Sequence, residues 1–87
     1  IDPGSGAFLD TLGWGYYRKG NLPEARTFIE RALEKADRQD KGVIYDHYGD
    51  ILTRMGKKNE ALDAYRKAVE SGEDKEILQK KIDALGL

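Results

Sequence analysis

The stretch LDTLGWGYYRKGNLPEA, residues 9–25, looks helical in its apolar spacing yet contains three glycines. Leu9, Leu12 and Tyr16 recur three and four positions apart, which is the spacing of one helical face. Glycine in a helix interior costs roughly 1 kcal/mol relative to alanine. The presence of Gly13 and Gly15 inside a helix therefore calls for a structural explanation.

A turn separates this helix from the next one. In GNLP, Gly20 suits the left-handed conformation that ends a helix, and Pro23 suits the first turn of the following helix. The sequence therefore predicts one helix over Ala7–Lys19 and a second from Pro23 to about Ala36.

The second half of the chain repeats this plan. After a polar connector, the apolar spacing predicts helices over Val43–Met55 and Asn59–Ser71, joined by the turn GKKN. A last helix is predicted from Asp74 to about Leu85. No segment alternates like a strand, so the expected fold class is all-α with five helices.

Sliding the sequence by 36 positions superposes the two halves. Small residues fall on small residues and charged residues on like-charged ones: Asp10 on Asp46, Gly13 on Gly49, Arg18 on Arg54, Gly20 on Gly56, Ala25 on Ala61, and Ala32 on Ala68. The chain is therefore predicted to hold two copies of one helix-turn-helix unit.

This pattern resembles the tetratricopeptide repeat family, in which antiparallel helix pairs of about 34 residues stack into a right-handed superhelix. The positions that carry the resemblance are the packing positions of each helix pair: Leu9, Leu12, Gly13, Tyr16, Ala25, Ile29 and Ala32, then Tyr45, Tyr48, Gly49, Leu52, Ala61, Tyr65 and Ala68. The leading tryptophan of the family pattern is replaced by Leu9 and Tyr45, and the proline that usually ends a repeat is missing.

The resemblance supplies a reason for the glycines. Gly13 is expected to face Ala25 and Ala32, where small residues let two helices approach closely. Gly15 falls where the family often has alanine, and we expect it to contact a neighbouring helix. The alternative is that Gly15 is a weak position with no packing role.

The ends of the chain suggest a fragment of a longer array. Residues 1–5 match the closing residues of a repeat, residues 6–41 and 42–73 form the two units, and residues 74–87 form a capping helix with a polar outer side that includes Lys75, Lys80, Lys81 and Asp83. Further repeats are expected before residue 6, so Phe8 and Leu12 are expected to expose apolar surface.

The composition narrows the classes of function. Fifteen basic and sixteen acidic residues nearly cancel, which argues against nucleic-acid binding. No apolar run is long enough for membrane insertion, and without cysteine there are no disulfides or thiolate metal sites. The compartment is left open.

The only histidine, His47, lies near Asp46 and Asp50 in YDHYGD. A metal site usually needs further ligands and a defined second shell, so a solvated groove residue is the favoured interpretation. No nucleophile has a partner base in a recognisable motif, and no phosphate loop is present. The sequence thus predicts no catalytic residue, no cofactor and no metal.

A second face of each first helix carries the candidate partner-binding residues. In the first unit these are Asp10, Trp14 and Tyr17, and in the second Asp46, His47, Asp50 and Thr53. The resemblance implies that these positions line a concave groove that touches ligand peptides. Two aromatics beside three carboxylates favour a partner segment with Lys or Arg next to an apolar residue. Alternatively, Trp14 and Tyr17 merely pack on the helix that starts at Val43.

The predicted function is a non-catalytic protein-interaction module. One alternative is a structural or self-association segment that pairs through the exposed face of the first repeat. Another is a helical appendage of an enzyme whose catalytic domain lies upstream.

Overall fold

A computed structural model of the protein describes residues 4–87. These residues form five helices and no strand, as predicted: α1 (Gly6–Arg18), α2 (Leu22–Lys35), α3 (Lys41–Arg54), α4 (Lys58–Glu70) and α5 (Lys75–Ala84). Every predicted bound lies within two residues of the observed one. The prediction for the tail of a preceding repeat rests on Ile1, Asp2 and Pro3, which lie outside the described residues.

The helices pack as consecutive pairs in a stack. The largest contacts join α1 to α2 and α3 to α4, while α2 also packs on α3 and α5 packs on α4. The all-helical fold and the stacked-pair architecture predicted from the repeat are therefore confirmed. No helix in residues 4–87 combines the length and the apolar character that a membrane span requires.

The two turns close in the same way. Gly20 and Gly56 have φ angles of 84° and 77°, in the left-handed region that glycine adopts at low cost. The following residues, Asn21 and Lys57, donate their N–H groups to the carbonyls five positions earlier at 2.9 Å. Equivalent glycines thus end α1 and α3, as the turn sequences predict.

Gly13 and Gly49 lie where helices cross. A Cβ at Gly13 would be 2.8 Å from Cγ1 of Ile29 and 3.2 Å from the carbonyl oxygen of Ala25. A Cβ at Gly49 would overlap the ring of Tyr65. Real Cβ atoms do not approach their neighbours this closely, so an alanine at either position would force the facing side chain to shift.

Gly15 differs from the expectation. It is exposed, and a Cβ built on it would meet no heavy atom within 4 Å. Two residues beyond Gly13 correspond to about 200° around a helix, so Gly15 lies on the side away from α2. The predicted contact with a neighbouring helix is wrong for the described residues.

The core consists of two clusters. Ala25, Ile29 and Ala32 of α2 pack with Ile44 and Ile51 of α3. The other cluster joins α3, α4 and α5 and contains the following buried residues: Leu52, Ala61, Ala64, Tyr65, Ala68, Leu78 and Leu85. Of the predicted packing positions, the half-buried ones are Leu9, Leu12, Tyr16, Tyr45 and Tyr48, and the others are buried.

Ile44 and Ile51 are fully buried, although the packing positions predicted for α3 lie on the stripe from Tyr45 to Leu52 and include neither residue. The helix α3 packs on α2 and on α4 at once, so it needs two apolar stripes. The spacing of Ile44 and Ile51, seven residues apart, is the signal for the second stripe.

A polar network ties the two units together. Arg26 of α2 donates to Glu30 at 3.1 Å and, across the unit boundary, to Glu60 of α4 at 2.9 Å. The hydroxyl of Tyr48 donates to Glu30 at 2.7 Å. Burial raises the pKa of Tyr48 to about 12, and the bond to the Glu30 carboxylate adds to the shift.

The outer surface of α1 is less apolar than expected. Phe8 and Leu12 are half-buried, whereas the exposed large apolar residues among the described ones are Val43, Ile77 and Leu87. The hydroxyl of Ser5 accepts from the Phe8 N–H at 3.1 Å and caps the helix.

Candidate functional site

All seven predicted partner-binding residues are described, and we call the surface that they form on α1 and α3 the groove face: Asp10, Trp14, Tyr17, Asp46, His47, Asp50 and Thr53. Their contacts divide them into two groups. The aromatic cluster contains Asp10, Trp14, Tyr17 and His47. The acidic cluster contains Asp46, Asp50 and Thr53, together with Tyr65 and Lys81.

The aromatic cluster is a continuous stack. The rings of Trp14 and Tyr17 have centroids 4.6 Å apart and an interplanar angle of 19°. The rings of Trp14 and His47 are 4.2 Å apart at 24°. All three residues are half-buried, so the stack is partly exposed. Trp14 therefore packs on α3, as the alternative interpretation of the sequence expects, and the stack still lies at the surface.

Asp10 supports the stack through a hydrogen bond to His47. It is only 9% exposed, and its Oδ1 accepts a hydrogen bond from Nδ1 of His47 at 2.8 Å. Because an ionised carboxylate can only accept, Nδ1 of His47 carries the proton of this hydrogen bond. This bond links α1 to α3 and orients the His47 ring against Trp14.

Arg54, which the sequence reading did not assign to the site, covers one end of the stack. Its guanidinium carbon lies 5.1 Å from the centre of the Tyr17 ring, and Nη1 donates to the Tyr17 carbonyl at 3.3 Å. This geometry is a cation–π contact. The sequence feature that could have pointed to Arg54 is the repeat, because Arg54 and Arg18 occupy equivalent positions in the two units.

The acidic cluster contains a lysine from the capping helix. Nζ of Lys81 donates to Oδ1 of Asp46 at 2.8 Å and to Oδ2 of Asp50 at 3.3 Å, and lies 5.9 Å from the centre of the Tyr65 ring. Burial opposes the charged form, but the bond to Asp46 and the two carboxylate charges prevail and raise the pKa of Lys81. The placement of Lys81 on the outer side of α5 is therefore wrong.

Tyr65 supports the acidic cluster from α4. Its hydroxyl donates to Oδ1 of Asp50 at 2.7 Å and lies 3.2 Å from Oγ1 of Thr53. Burial is the main reason why the pKa of Tyr65 is raised, and the hydrogen bond to Asp50 adds to it. Thr53 itself donates to the Gly49 carbonyl at 2.8 Å.

The groove face is less acidic than its sequence suggests. Three carboxylates, Asp10, Asp46 and Asp50, are partly offset by two cations, Lys81 and Arg54, which leaves one net negative charge when His47 is neutral. Each of the three carboxylates that the sequence analysis placed beside the aromatics already has a partner within the chain. Within residues 4–87, no three acidic or histidine side chains converge as a metal site would require.

Two comparisons relate the chain to known proteins. The family model described as tetratricopeptide repeat matches residues 11–74. Response regulator aspartate phosphatase E of Bacillus subtilis (strain 168) is 35% identical over 66 residues, which cover 72% of this chain and 18% of that protein. The matched part thus spans about a fifth of the length of that relative.

Proposed function

This chain belongs to the tetratricopeptide repeat family, and we propose that it is a non-catalytic interaction module that binds a segment of a partner protein along the groove face. The family builds scaffolds for protein–protein contact from stacked helix pairs. The groove face lies on α1 and α3, the first helices of the two pairs. A segment lying across both helices would touch the aromatic and the acidic cluster together.

The aromatic stack carries the proposal. Trp14, Tyr17 and His47 form a stack of half-buried rings, and the bond from Asp10 orients the His47 ring within it before any partner arrives. Aromatic anchors dominate many interfaces, and a side chain that is already ordered loses little entropy on binding. A peptide side chain that covers this stack therefore gains apolar contact at little ordering cost.

The charge of the face favours a particular class of partner. The groove face keeps a net negative charge, and Tyr17 and Tyr65 each already accept a cation over the ring at 5.1 and 5.9 Å. A segment with Lys or Arg beside an apolar residue matches both features. An acidic segment would meet a surface that is negative on balance.

Trp14 is the only tryptophan, so its fluorescence reports on the groove face alone. We expect a saturable change on titration with peptides of alternating leucine and lysine, and a weaker one with leucine and glutamate. Tyr17→Leu should weaken the lysine response. Phe28→Leu is the matched control, because Phe28 is an aromatic stacked on Tyr16 outside the groove face. An equal or stronger response to the glutamate peptides contradicts the proposal.

The non-catalytic assignment rests on the use of the only histidine. His47 is bonded to Asp10 and stacked on Trp14, which commits its ring to the aromatic cluster. The named activity of the relative makes an acyl phosphate the appropriate test substrate. We expect no hydrolysis of acetyl phosphate above the buffer rate. Turnover that disappears in His47→Ala would instead support catalysis.

A structural or self-association role is the second candidate. The observation that favours it is a shallow groove on the outer face of α1, beside the open position at Gly15, lined by Thr11, Leu12, Gly15, Tyr16 and Lys19. Mass measured over a range of concentrations separates the two candidates. We expect a monomer throughout, whereas a dimer that Phe8→Ala abolishes would support self-association.

A further inference from the structure

The capping helix reaches the groove face through one side chain. Asp10 pairs with His47, 37 residues later on α3, and Asp46 pairs with Lys81, 35 residues later on α5. In both units, the aspartate at the same repeat position therefore binds a residue of the helix that follows the pair. In the second unit that residue is a flexible lysine instead of a ring held in a stack.

The contacts of Lys81 are those of a bound cation. Its ammonium group touches Asp46 and Asp50 and lies over the ring of Tyr65, while its side chain is one-third exposed. A carboxylate pair beside an aromatic ring would bind the ammonium or guanidinium group of a partner by the same contacts. Lys81 thus occupies the place where a partner's cation would be bound.

Lys81 can leave without unfolding α5. The helix is fastened to α4 by Leu78 and Leu85, which are 1% and 3% exposed and belong to the core cluster. The ammonium group lies at the end of four methylene groups, away from those anchors. Rotation about these bonds moves the charge into solvent while the helix stays packed.

We infer that Lys81 is a built-in competitor for the acidic cluster, which a partner's lysine or arginine must displace. This inference rests on the proposed function, because it assigns the regulation of the same groove face. A tethered ligand has a high effective concentration, so it excludes weakly held cations and admits only partners whose other contacts, on the aromatic stack, contribute enough. Displacement then couples occupation of the acidic cluster to occupation of the stack.

The first test uses a small cation and no peptide. Lys81→Ala removes the equivalent of n-propylammonium, so the vacated site should bind that ion. We expect saturable shifts of the Asp46 and Asp50 amide signals in the nuclear magnetic resonance spectrum of Lys81→Ala, at constant ionic strength. Lys80→Ala is the matched control, because Lys80 is exposed and forms no ion pair with any described residue. Equal or absent shifts in Lys81→Ala and the control overturn the inference.

The second test measures competition. Lys81→Met should raise the affinity for the leucine–lysine peptides about fivefold or more, within the usual range of coupling between ligands. Lys80→Met removes the same charge one residue away and should change the affinity far less. Lys81→Arg keeps a competing cation and should show no gain in affinity. The thermal unfolding of Lys81→Met checks that α5 stays packed in that variant.

The outcomes separate the inference from the proposed function. Peptide binding that is unchanged by Lys81→Met overturns the competitor and leaves the interaction module intact. Binding of n-propylammonium to Lys81→Ala with no peptide response in any variant overturns the proposed function, while the cation site stands.

Discussion

The two repeats place an aspartate at the same position and surround it differently. Asp10 of the first repeat is nearly buried, and it orients an aromatic ring. The side chain of Asp46 in the second repeat is only slightly more exposed, 17% against 12% for that of Asp10, and it binds a lysine whose side chain is one-third exposed. The same backbone therefore displays a stack of aromatic rings in one part of the groove face and an ion pair with the capping helix in another.

Three substitutions between the copies contribute to this difference. Trp14 and Tyr17 of the first repeat correspond to Asp50 and Thr53 of the second. Ile29, which packs below Gly13, corresponds to Tyr65, which packs below Gly49. The first repeat thus has its aromatic rings on the groove face, whereas the second has one at the helix crossing. There the hydroxyl of Tyr65 donates a hydrogen bond to Asp50.

The two helix crossings should respond unequally to an added methyl group. We expect Gly49→Ala to lower the free energy of unfolding by about 2–3 kcal/mol, because it collides with a stiff ring that is 2% exposed and tied to Asp50. Gly13→Ala should cost about 1–2 kcal/mol, since its closest neighbours are Cγ1 and Cδ1 of Ile29, an aliphatic side chain that can rotate more easily than a ring. Urea unfolding of both variants measures the difference. A larger loss for Gly13→Ala would contradict this account of the crossings.

The two aspartates should also differ in their contribution to stability. Asp10→Ala leaves the Nδ1 proton of His47 without its acceptor in a half-buried place, so we expect a loss of about 1–2 kcal/mol. Asp46→Ala leaves Lys81 with Asp50 at the surface, so the loss should stay below about 1 kcal/mol. Added salt should diminish only the effect of Asp46→Ala. Equal losses with equal salt dependence would show that the repeats use the aspartate alike.

Alkaline unfolding should be governed by the second repeat and the junction. The pKa values of Tyr65 and Tyr48 are raised in the folded state by burial and by their carboxylate partners, Asp50 and Glu30. The unfolded chain therefore loses these protons at lower pH than the folded chain. The contribution of the two tyrosines to the free energy of unfolding is fully present below pH 10 and is lost as the pH rises above it.

Tyr65→Phe removes one of these two groups. We expect the urea midpoint of this variant to decline less between pH 9 and 11 than that of the unmodified chain, although it starts lower because Asp50 loses a donor. The first repeat has Ile29 at the equivalent position, and this side chain has no proton to lose. Parallel declines for Tyr65→Phe and the unmodified chain would contradict the role of Tyr65.

The sequence predicted the fold because the fold depends on local signals. Turn glycines, apolar spacing and the 36-residue register each act within one helix or one pair, and all five helices follow from them. The second stripe of α3 was missed, because Ile44 and Ile51 are explained only by packing on two helices at once.

The site was predicted less completely, because its partners come from distant positions. Residue spacing identified the groove face, but it did not show that Lys81 enters the acidic cluster from α5 or that Arg54 covers Tyr17. Both residues have side chains long enough to reach either face of their helix. Their direction depends on the carboxylates and rings across the interface, which a periodic pattern does not record.

Gly15 provides the smallest effect and the only one expected to be favourable. It lies in the middle of α1, its backbone is helical, and nothing lies within 4 Å of a Cβ built there. Gly15→Ala therefore gains helix propensity with no collision, and we expect about 0.5–1 kcal/mol of added stability. The opposite signs for Gly15→Ala and Gly13→Ala, two residues apart, would separate the cost of a close helix crossing from the general effect of glycine. If Gly15→Ala instead lowers the stability, and a dimer of the unmodified chain is lost in this variant at the same micromolar concentration, a second helix docks on this face.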